Sequence, residues 1–396
     1  MVIDQRFVNH HAVESAASGV ADAAAEHAPD AEERTMPEHH LLIVCPTEYG
    51  GQIEHAAELG AAAVRSGSVD ACTILSRPGA SMSTAGWDPS AFEMREVLLP
   101  RRSSSRVTRA VLQLMDVIRE RRLIRSHISR LESRGGLTVL WESTKYGVPT
   151  VAPTTRNIVF VHNALPHGFS DDMGLRDRWH FRMEKRSARR ADLIAVHGGE
   201  QRSAVADWGV RDVRAVALPG DSRPVVEHPN ASDSALCIGE VRPNKGIEIA
   251  IEAALSTATR LSIIGSPEPS SYGEELKRIT PATGVTLDFR YLEADEFNGR
   301  LAAAPLIVLP YVHFAAQSGV LAKAMQFDRE IVASDLPALR EQAGEYPRIR
   351  FVPPGDVPSL ARVFSELQTY ARNSDVTGFK QSAPAQWDAV AISLFE

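Results

Sequence analysis

Residues 306–335, LIVLPYVHFAAQSGVLAKAMQFDREIVASD, constrain the fold of this chain more than any other stretch. A run of four apolar residues is followed by a polar turn, a helical segment containing Val320, Leu321 and Met325, and a second apolar run. Strand, helix and strand in this order predict a parallel βαβ unit, because parallel neighbours need a crossover that is usually a helix. The simplest interpretation is an ordinary crossover with a well-capped helix.

The turn of this unit, residues 316–319, is also a candidate binding site. Ser318 and Gly319 open the helix, after Gln317. The start of a helix offers unpaired backbone N–H groups and the positive end of the helix dipole, which suit a phosphate or a ribose hydroxyl. Gly319 has no Cβ, so a ligand could approach the backbone there closely.

Two further strands end in glycine upstream of this unit. The segment 235–246, ALCIGEVRPNKG, predicts a short strand that ends at Gly239, followed by a turn with Arg242 and Lys245; LSIIG predicts a second strand that ends at Gly265. Ligands bind at the carboxyl ends of the strands in open parallel sheets. Two cations at this edge favour a nucleotide diphosphate over a neutral metabolite, since arginine can bind a phosphate through two parallel hydrogen bonds.

The first half of the chain repeats the same pattern. Residues 41–45 predict a central parallel strand, Gly50 and Gly51 the turn after it, and residues 53–66 a helix. A tight turn would explain the two glycines, and the full G-x-G-x-x-G dinucleotide fingerprint is absent. Residues 158–161 predict another strand that brings His162 and Asn163 to the edge of the first sheet.

Several motifs, taken in order, resemble a known family. They are EYGGQIEH, HNALPH, GEVRPNKG, IIG and PYVHFAAQSGVLAKAM. They resemble the retaining, nucleotide-sugar-dependent glycosyltransferases of family four, over roughly residues 40–396. The resemblance implies the α/β GT-B fold, with two Rossmann-like parallel-sheet domains facing a central cleft and a C-terminal helix that crosses back to the first domain.

The resemblance also implies roles for individual residues. His162 would contact the donor sugar, and Arg242 and Lys245 would stabilise the diphosphate; these three form the predicted catalytic set. The predicted donor-binding residues are Gly50, Gly51, Asn163, Gly239, Gly265, Gln317, Ser318, Gly319, Val320 and Lys323. Neither a cofactor nor a metal ion is expected, because this fold does not require one.

The chain also departs from the family pattern. Relatives carry two glutamates eight residues apart around the last turn, where this chain has Ala315 and Lys323; Glu240 replaces a frequent arginine. The main hypothesis is a retaining transferase that moves a sugar, expected to be a hexose, to a glycan, a lipid-linked sugar or a small molecule. The alternative is a non-catalytic homologue that binds a nucleotide or a partner enzyme. A nucleotide-sugar epimerase is a third, less favoured hypothesis, since its acid–base carboxylates are not evident.

Composition narrows the class of protein. A chain of 396 residues with a net charge of −7 suits two domains and argues against a nucleic-acid binder. Cys45, Cys72 and Cys237 have no metal-ligand spacing and are expected to be reduced core residues. The adjacent His39 and His40 are expected to be solvated. The N-terminus does not resemble a signal peptide, and no run of about 20 apolar residues occurs, so a cytoplasmic location is expected.

The predicted organisation has five parts. Residues 1–38 form a mobile tail, 39–220 the acceptor domain, 221–233 a linker, 234–373 the nucleotide-sugar domain, and 374–396 the crossover helix. Within the first domain, residues 101–134 carry ten arginines interleaved with apolar residues at near-helical spacing. An amphipathic helix with solvated arginines explains this pattern; a cationic surface for anionic lipid, at the inner face of the membrane, is the sharper hypothesis.

Overall fold

The computed structural model describes residues 39–84, 86–99, 106–143, 147–148, 151–164, 175–223, 232–280, 284–370 and 383–396. The predicted N-terminal tail, residues 101–105 of the basic segment, most of the predicted linker and residues 374–382 lie outside this description. Among the described residues, no helix is both long and apolar enough to cross a membrane.

The first domain is built on a parallel sheet. Its strands are β1 (His39–Val44), β2 (Ala71–Leu75), β3 (Glu93–Arg95), β4 (Gly136–Trp141), β5 (Thr155–Val161), β6 (Leu193–His197) and β7 (Val213–Val216). They lie in the order β3-β2-β1-β4-β5-β6-β7, and each pair is parallel. Strands β2 and β3 lie on one side of β1, and β4 to β7 lie on its other side. The carboxyl ends of β1 and β4 therefore form the switch point, where ligands bind in open parallel sheets.

Helices connect these strands. They are α1 (Gly51–Arg65), α2 (Ala80–Ser83), α3 (Arg106–Glu132), α4 (Leu175–Ala188) and α5 (Gly199–Ala206). Alternate residues of the central strands, such as Leu41 and Leu42 of β1, belong to two different apolar clusters, because both faces of the sheet are covered, as expected for parallel strands. Helix α1 begins at Gly51, two residues earlier than predicted, and Gly50 precedes it with φ of 88°.

The second domain repeats the architecture with a smaller sheet. Its strands are β8 (Ala235–Ile238), β9 (Leu261–Ile264), β10 (Val285–Asp288), β11 (Leu306–Leu309), β12 (Glu330–Ser334) and β13 (Ile349–Val352). They lie in the order β10-β9-β8-β11-β12-β13, also parallel. The helices are α6 (Ile247–Thr257), α7 (Ser270–Ile279), α8 (Ala294–Ala303), α9 (Gly319–Gln326), α10 (Pro337–Ala343) and α11 (Val357–Tyr370).

The last helix, α12 (Ala383–Phe395), returns to the first domain. Trp387 is 2% exposed and lies in the same apolar cluster as Ile43, Ile53 and Leu140. Its indole Nε1 donates to the carbonyl oxygen of Gly220 at 2.8 Å. The predicted fold class is confirmed, with two parallel-sheet α/β domains and a C-terminal helix on the first of them.

Two smaller expectations have different outcomes. The three cysteines are buried free thiols, as expected. The expectation that His39 and His40 are solvated was wrong, because both residues belong to β1 and are half-buried. Their imidazole Nε2 atoms lie 2.9 Å from the hydroxyls of Thr138 and Thr73 on the neighbouring strands. These threonines supply the hydrogen bonds that solvent would otherwise provide.

Candidate functional site

The carboxyl edge of the second sheet brings several predicted residues together. Gly239 follows β8 with φ of 105°, and a Cβ built there would lie 3.4 Å from Val320 Cγ2 and 3.7 Å from Lys245 Nζ. Gly265 follows β9, where a Cβ would lie 1.8 Å from the carbonyl oxygen of Gly239. Only glycine fits at position 265, because the two strand ends approach each other too closely for a side chain.

The two predicted phosphate-binding cations differ in their surroundings. Arg242 Nη2 lies 2.6 Å from Glu268 Oε2 and 3.1 Å from Glu240 Oε2, so a phosphate would compete with two carboxylates for it. Lys245 ends a short 3₁₀ turn, Pro243–Lys245, and its Nζ lies 5.5 Å from the centre of the Tyr311 ring. Of the two, Lys245 is the better placed to meet an anion beside Gly239.

The start of α9 supplies fewer free backbone donors than the sequence suggests. Ser318 is buried; its hydroxyl accepts from Leu321 N at 3.3 Å, and its own N–H donates to Gln342 Oε1 at 2.6 Å. The N–H groups of Gly319 and Val320 belong to the first helical turn, where the helix itself provides no acceptor. These two groups, rather than that of Ser318, can therefore face a ligand.

Polar side chains connect this turn to the first domain. Gln317 Oε1 accepts from Leu218 N at 2.7 Å. Gln201, which is buried, accepts from Ala164 N at 2.6 Å and donates to the carbonyl oxygen of Ala315 at 2.5 Å. Gln201 thus joins the turn after β5 to the turn before α9, across the two domains.

Lys323 does not extend into open solvent. Its side chain is 15% exposed, and its Nζ lies 3.0 Å from Glu54 Oε2 on α1 and 3.4 Å from Asp221 Oδ2. Burial by itself would lower the pKa of Lys323, but the carboxylates of Glu54 and Asp221 hold it above its ordinary value. This predicted donor-binding residue therefore forms part of an ion-pair network between the domains.

The same network holds the chain where it leaves the first domain. Arg223 Nη2 lies 2.5 Å from Asp221 Oδ2, and Asn298 donates to the same carboxylate at 2.8 Å. Burial alone would raise the pKa of Asp221, but the hydrogen bonds and charges of Arg223 and Lys323 hold it well below its usual range. Gln326 accepts from Asp221 N at 2.7 Å and donates to its carbonyl oxygen at 2.5 Å.

A second buried carboxylate, Glu58 on α1, lies beside this network. Its carboxylate accepts from the backbone N–H of Ser222 at 2.7 Å and from the hydroxyl of the same residue. Burial, and then the negative charge of Asp221, raise the pKa of Glu58 to about 7. The contact between α1 and this connecting segment therefore contains a group that titrates near neutral pH.

The edge of the first sheet carries His162, which follows β5. Its Nε2 lies 2.5 Å from Glu142 Oε2, and the other carboxylate oxygen of Glu142 lies 2.9 Å from His55 Nδ1. The side chain of Glu142 is fully buried, whereas that of His162 is 19% exposed. Burial would raise the pKa of Glu142, but His55 and His162 hold it well below its usual range. Glu142 therefore stays ionised and fixes which ring nitrogen of His162 faces it.

The remaining predicted residues of the first domain are Gly50, Gly51 and Asn163. Gly51 and Asn163 are exposed and Gly50 is partly exposed, and a Cβ at either glycine would meet no atom within 4 Å. The structure therefore leaves open space at this turn, and the donor-binding role of these residues stays a prediction.

Sequence reasoning missed Glu142, His55 and Glu54. Glu142 directly follows β4, just as His162 follows the neighbouring strand β5, so the carboxyl-edge rule that selected His162 also applies to Glu142. His55 and Glu54 lie on the buried and cleft sides of α1 respectively, and no spacing in the sequence distinguishes them from ordinary helix residues.

Comparisons with known proteins agree with this architecture. The structure is similar to sucrose-phosphate synthase from Thermosynechococcus elongatus, with a TM-score of 0.63 and 13% identity over 90% of this chain and 95% of that one. It is also similar to Anabaena Alr3699/HepE in complex with UDP-glucose, with a TM-score of 0.57 and 16% identity over 90% and 100% of the two chains. The fold is that of the GT-B proteins.

A third similar structure is WaaG, a glycosyltransferase involved in lipopolysaccharide biosynthesis, with a TM-score of 0.55 and 14% identity over 89% of this chain and 95% of that one. Residues 232–369, about a third of the chain, match the family described as glycosyl transferases, group 1. No curated protein has significant sequence similarity to the chain. The family match covers the second domain, which carries Arg242, Lys245 and the start of α9.

The raised pKa of Glu58 predicts a pH-dependent stability. A carboxyl whose pKa rises to about 7 on folding stabilises the protein below its unfolded pKa, and this contribution is lost as the pH rises through 7. Glu58→Gln should therefore gain stability relative to the native protein as the pH rises from 5 to 8, by roughly 2 kcal/mol. Urea unfolding at the two pH values measures this change.

Glu252→Gln is the matched control, because Glu252 is exposed on α6. Its stability should differ from that of the native protein by the same small amount at both pH values. If the relative stability of Glu58→Gln did not change with pH, Glu58 would be ionised in the folded protein throughout this range, which would contradict the prediction.

Proposed function

We propose that the protein is a retaining glycosyltransferase that moves a sugar, most simply a hexose, from a nucleotide diphosphate donor to an acceptor. The observation that carries the proposal is the arrangement of the two sheet edges. Lys245, Gly239 and the first turn of α9 converge at the edge of the second sheet, and Gln201 joins that turn to the segment that carries His162. The edge of the second sheet, with Lys245, and the edge of the first sheet, with His162, thus lie on opposite sides of one cleft.

In this proposal the second domain holds the donor. Lys245 meets the diphosphate beside Gly239, where the absence of a side chain allows phosphate oxygens to approach the backbone. The N–H groups of Gly319 and Val320 donate to the same anion. Negative charge grows on the diphosphate as the bond to the sugar breaks, so fixed positive groups stabilise the transition state more than the ground state. Arg242 contributes when the donor displaces Glu240 or Glu268.

The first domain holds the sugar and the acceptor. Glu142 accepts from His162 Nε2 and fixes the orientation of the imidazole, so Nδ1 remains for a donor hydroxyl or for charge at the reacting centre. The open space at Gly50 and Gly51 admits an acceptor, which we expect to be a glycan, a lipid-linked sugar or a small molecule. Activity needs no divalent metal in this scheme, because Lys245 and the backbone of α9 neutralise the leaving group.

Two observations support a nucleotide sugar as donor. The second domain matches the group 1 glycosyl transferases, and the similar Anabaena structure holds UDP-glucose. One observation supports the alternative of a non-catalytic nucleotide-binding or partner subunit. Lys323 stands where relatives carry a glutamate, and its ammonium is paired with Glu54 across the domains.

We propose further that α3 contacts anionic lipid at the inner face of the membrane. Met115 and Ile118 are 48% and 41% exposed on this helix, and Arg119, Arg122 and Arg125 are exposed beside them. An apolar and cationic helix face fits the interface of a membrane that contains acidic lipids, where each cation contributes about 1 kcal/mol.

Changing Arg119, Arg122 and Arg125 together to Gln should lower binding to vesicles that contain phosphatidylserine by at least tenfold, measured by co-sedimentation. A matched triple variant at Arg260, Arg278 and Arg300, all exposed in the second domain, should bind as the native protein does. Equal binding to neutral and anionic vesicles would contradict the proposed lipid contact.

Lys245→Ala should weaken binding of the donor nucleotide at least tenfold. The reason is the loss of a charge-assisted contact to phosphate, which contributes about 1.5–3 kcal/mol. Calorimetry with UDP, GDP and ADP identifies the base and then measures the change for that nucleotide. Lys277→Ala is the control, since Lys277 is exposed on α7 and pairs with Glu274. Unchanged affinity in Lys245→Ala would exclude the proposed diphosphate site.

The purified protein should transfer or hydrolyse at least one sugar from a panel of UDP-, GDP- and ADP-sugars, and should do so in EDTA. His162→Ala should lower kcat more than it raises KM for the donor, because the proposed contact strengthens as charge separates. Nucleotide binding without turnover of any donor would favour the non-catalytic alternative. Activity that EDTA abolishes and magnesium restores would contradict the metal-free scheme.

A further inference from the structure

Three histidine rings surround Glu142 in the core of the first domain. His55 comes from α1, His162 follows β5, and His197 ends β6. The ring centre of His55 lies 5.0 Å from the ring centre of His162 and 5.1 Å from that of His197. Four titratable side chains from four different elements thus share one small volume beneath the cleft, and the transfer proposed above uses only His162 and its bond to Glu142.

The hydrogen bonds within this cluster leave some nitrogens unsatisfied. Among the residues that the structure describes, the Nε2 atoms of His55 and His197 are buried without a hydrogen-bond partner. Both side chains are about 95% buried, with 5% relative exposure each. The bond from Nδ1 to Glu142 is therefore the one hydrogen bond that the described structure gives the His55 ring.

The donor atoms have the right chemistry and spacing for a metal ion. One ligand atom each from His55, Glu142 and His162 lies within 4.8 Å of the others. Imidazole nitrogen together with carboxylate oxygen suits zinc and similar transition metals, whereas magnesium and calcium prefer oxygen alone. Zinc lies about 2.0–2.2 Å from such ligands, so movements of about an ångström would accommodate it.

The charge of the cluster also favours a cation. Glu142 is fully buried, and each of its two carboxylate oxygens faces an imidazole nitrogen. At present each of His55 and His162 directs one ring nitrogen at this carboxylate. A bound cation would take the place of the protons in these two imidazole–carboxylate hydrogen bonds, so binding of the metal would release protons to solvent.

We propose that His55 Nδ1, the Glu142 carboxylate and His162 Nε2 form a binding site for one divalent cation of the zinc class. His162 is the partly exposed member, so the fourth coordination position faces the cleft. His197 lies next to the site, with its ring centre 5.1 Å from that of His55 and 6.1 Å from that of His162. The site goes beyond the proposed transfer, which needs no metal and can fail or succeed without it.

The test is a titration of the full-length protein with Zn²⁺ in competition with a chromogenic chelator, after treatment with EDTA. We expect one equivalent bound in the micromolar range or tighter. Co²⁺ at the same site should give the strong visible bands of four-coordinate cobalt. Glu142→Gln keeps the shape of the side chain but removes its charge, and it should weaken binding at least tenfold; His162→Ala should do the same.

His40→Ala is the matched control, because His40 is half-buried on β1 and bonded to Thr73, away from this cluster. It should bind zinc as tightly as the native protein. Circular dichroism shows whether each variant is folded, and the partly exposed His162 keeps the test usable if the buried Glu142→Gln variant is not. Equal zinc affinity in folded Glu142→Gln, folded His162→Ala and the native protein, or no binding at all, would overturn the proposal.

Discussion

The contact between the two domains depends on the buried carboxylate of Asp221 and the polar groups bound to it. This carboxylate accepts from Arg223 and Asn298 and lies 3.4 Å from the ammonium of Lys323, while Gln326 binds the backbone of the same residue at both polar groups. A buried charge of this kind is tolerated only because each polar partner is itself paired. Removing one member would leave another buried and uncompensated, so the network behaves as a unit.

The arrangement divides the chemistry of the cleft between the domains. The second domain contributes cationic and backbone donors around Lys245, and the first contributes histidines around a buried carboxylate. Gln201 spans the two edges with one hydrogen bond to each side. Groups that would bind a leaving group therefore lie on a different domain from those that would bind the sugar, and the Asp221 network connects the two domains.

Repeated strand–turn–helix patterns made the fold predictable, because each one predicts a parallel βαβ unit. The carboxyl ends of parallel strands also meet at one edge of the sheet. The prediction that Gly239, Gly265 and Lys245 lie together at that edge follows from this rule and agrees with the structure. It could not reveal the pairing of Lys323 with Glu54, which lie 269 positions apart, or of His55 with Glu142, which lie 87 apart. Such contacts depend on the angle between domains and on which helix face is buried, and neither is encoded in local spacing.

The return of α12 to the first domain has a consequence for synthesis on the ribosome. The core of that domain includes Trp387, Val390 and Leu394, so one wall of it is made only after the whole second domain. The second domain, from β8 to β13, is continuous in sequence and can close while the chain is still growing. The domain translated first is thus completed after the second one, with apolar surface of α1 and β1 uncovered until α12 has been made.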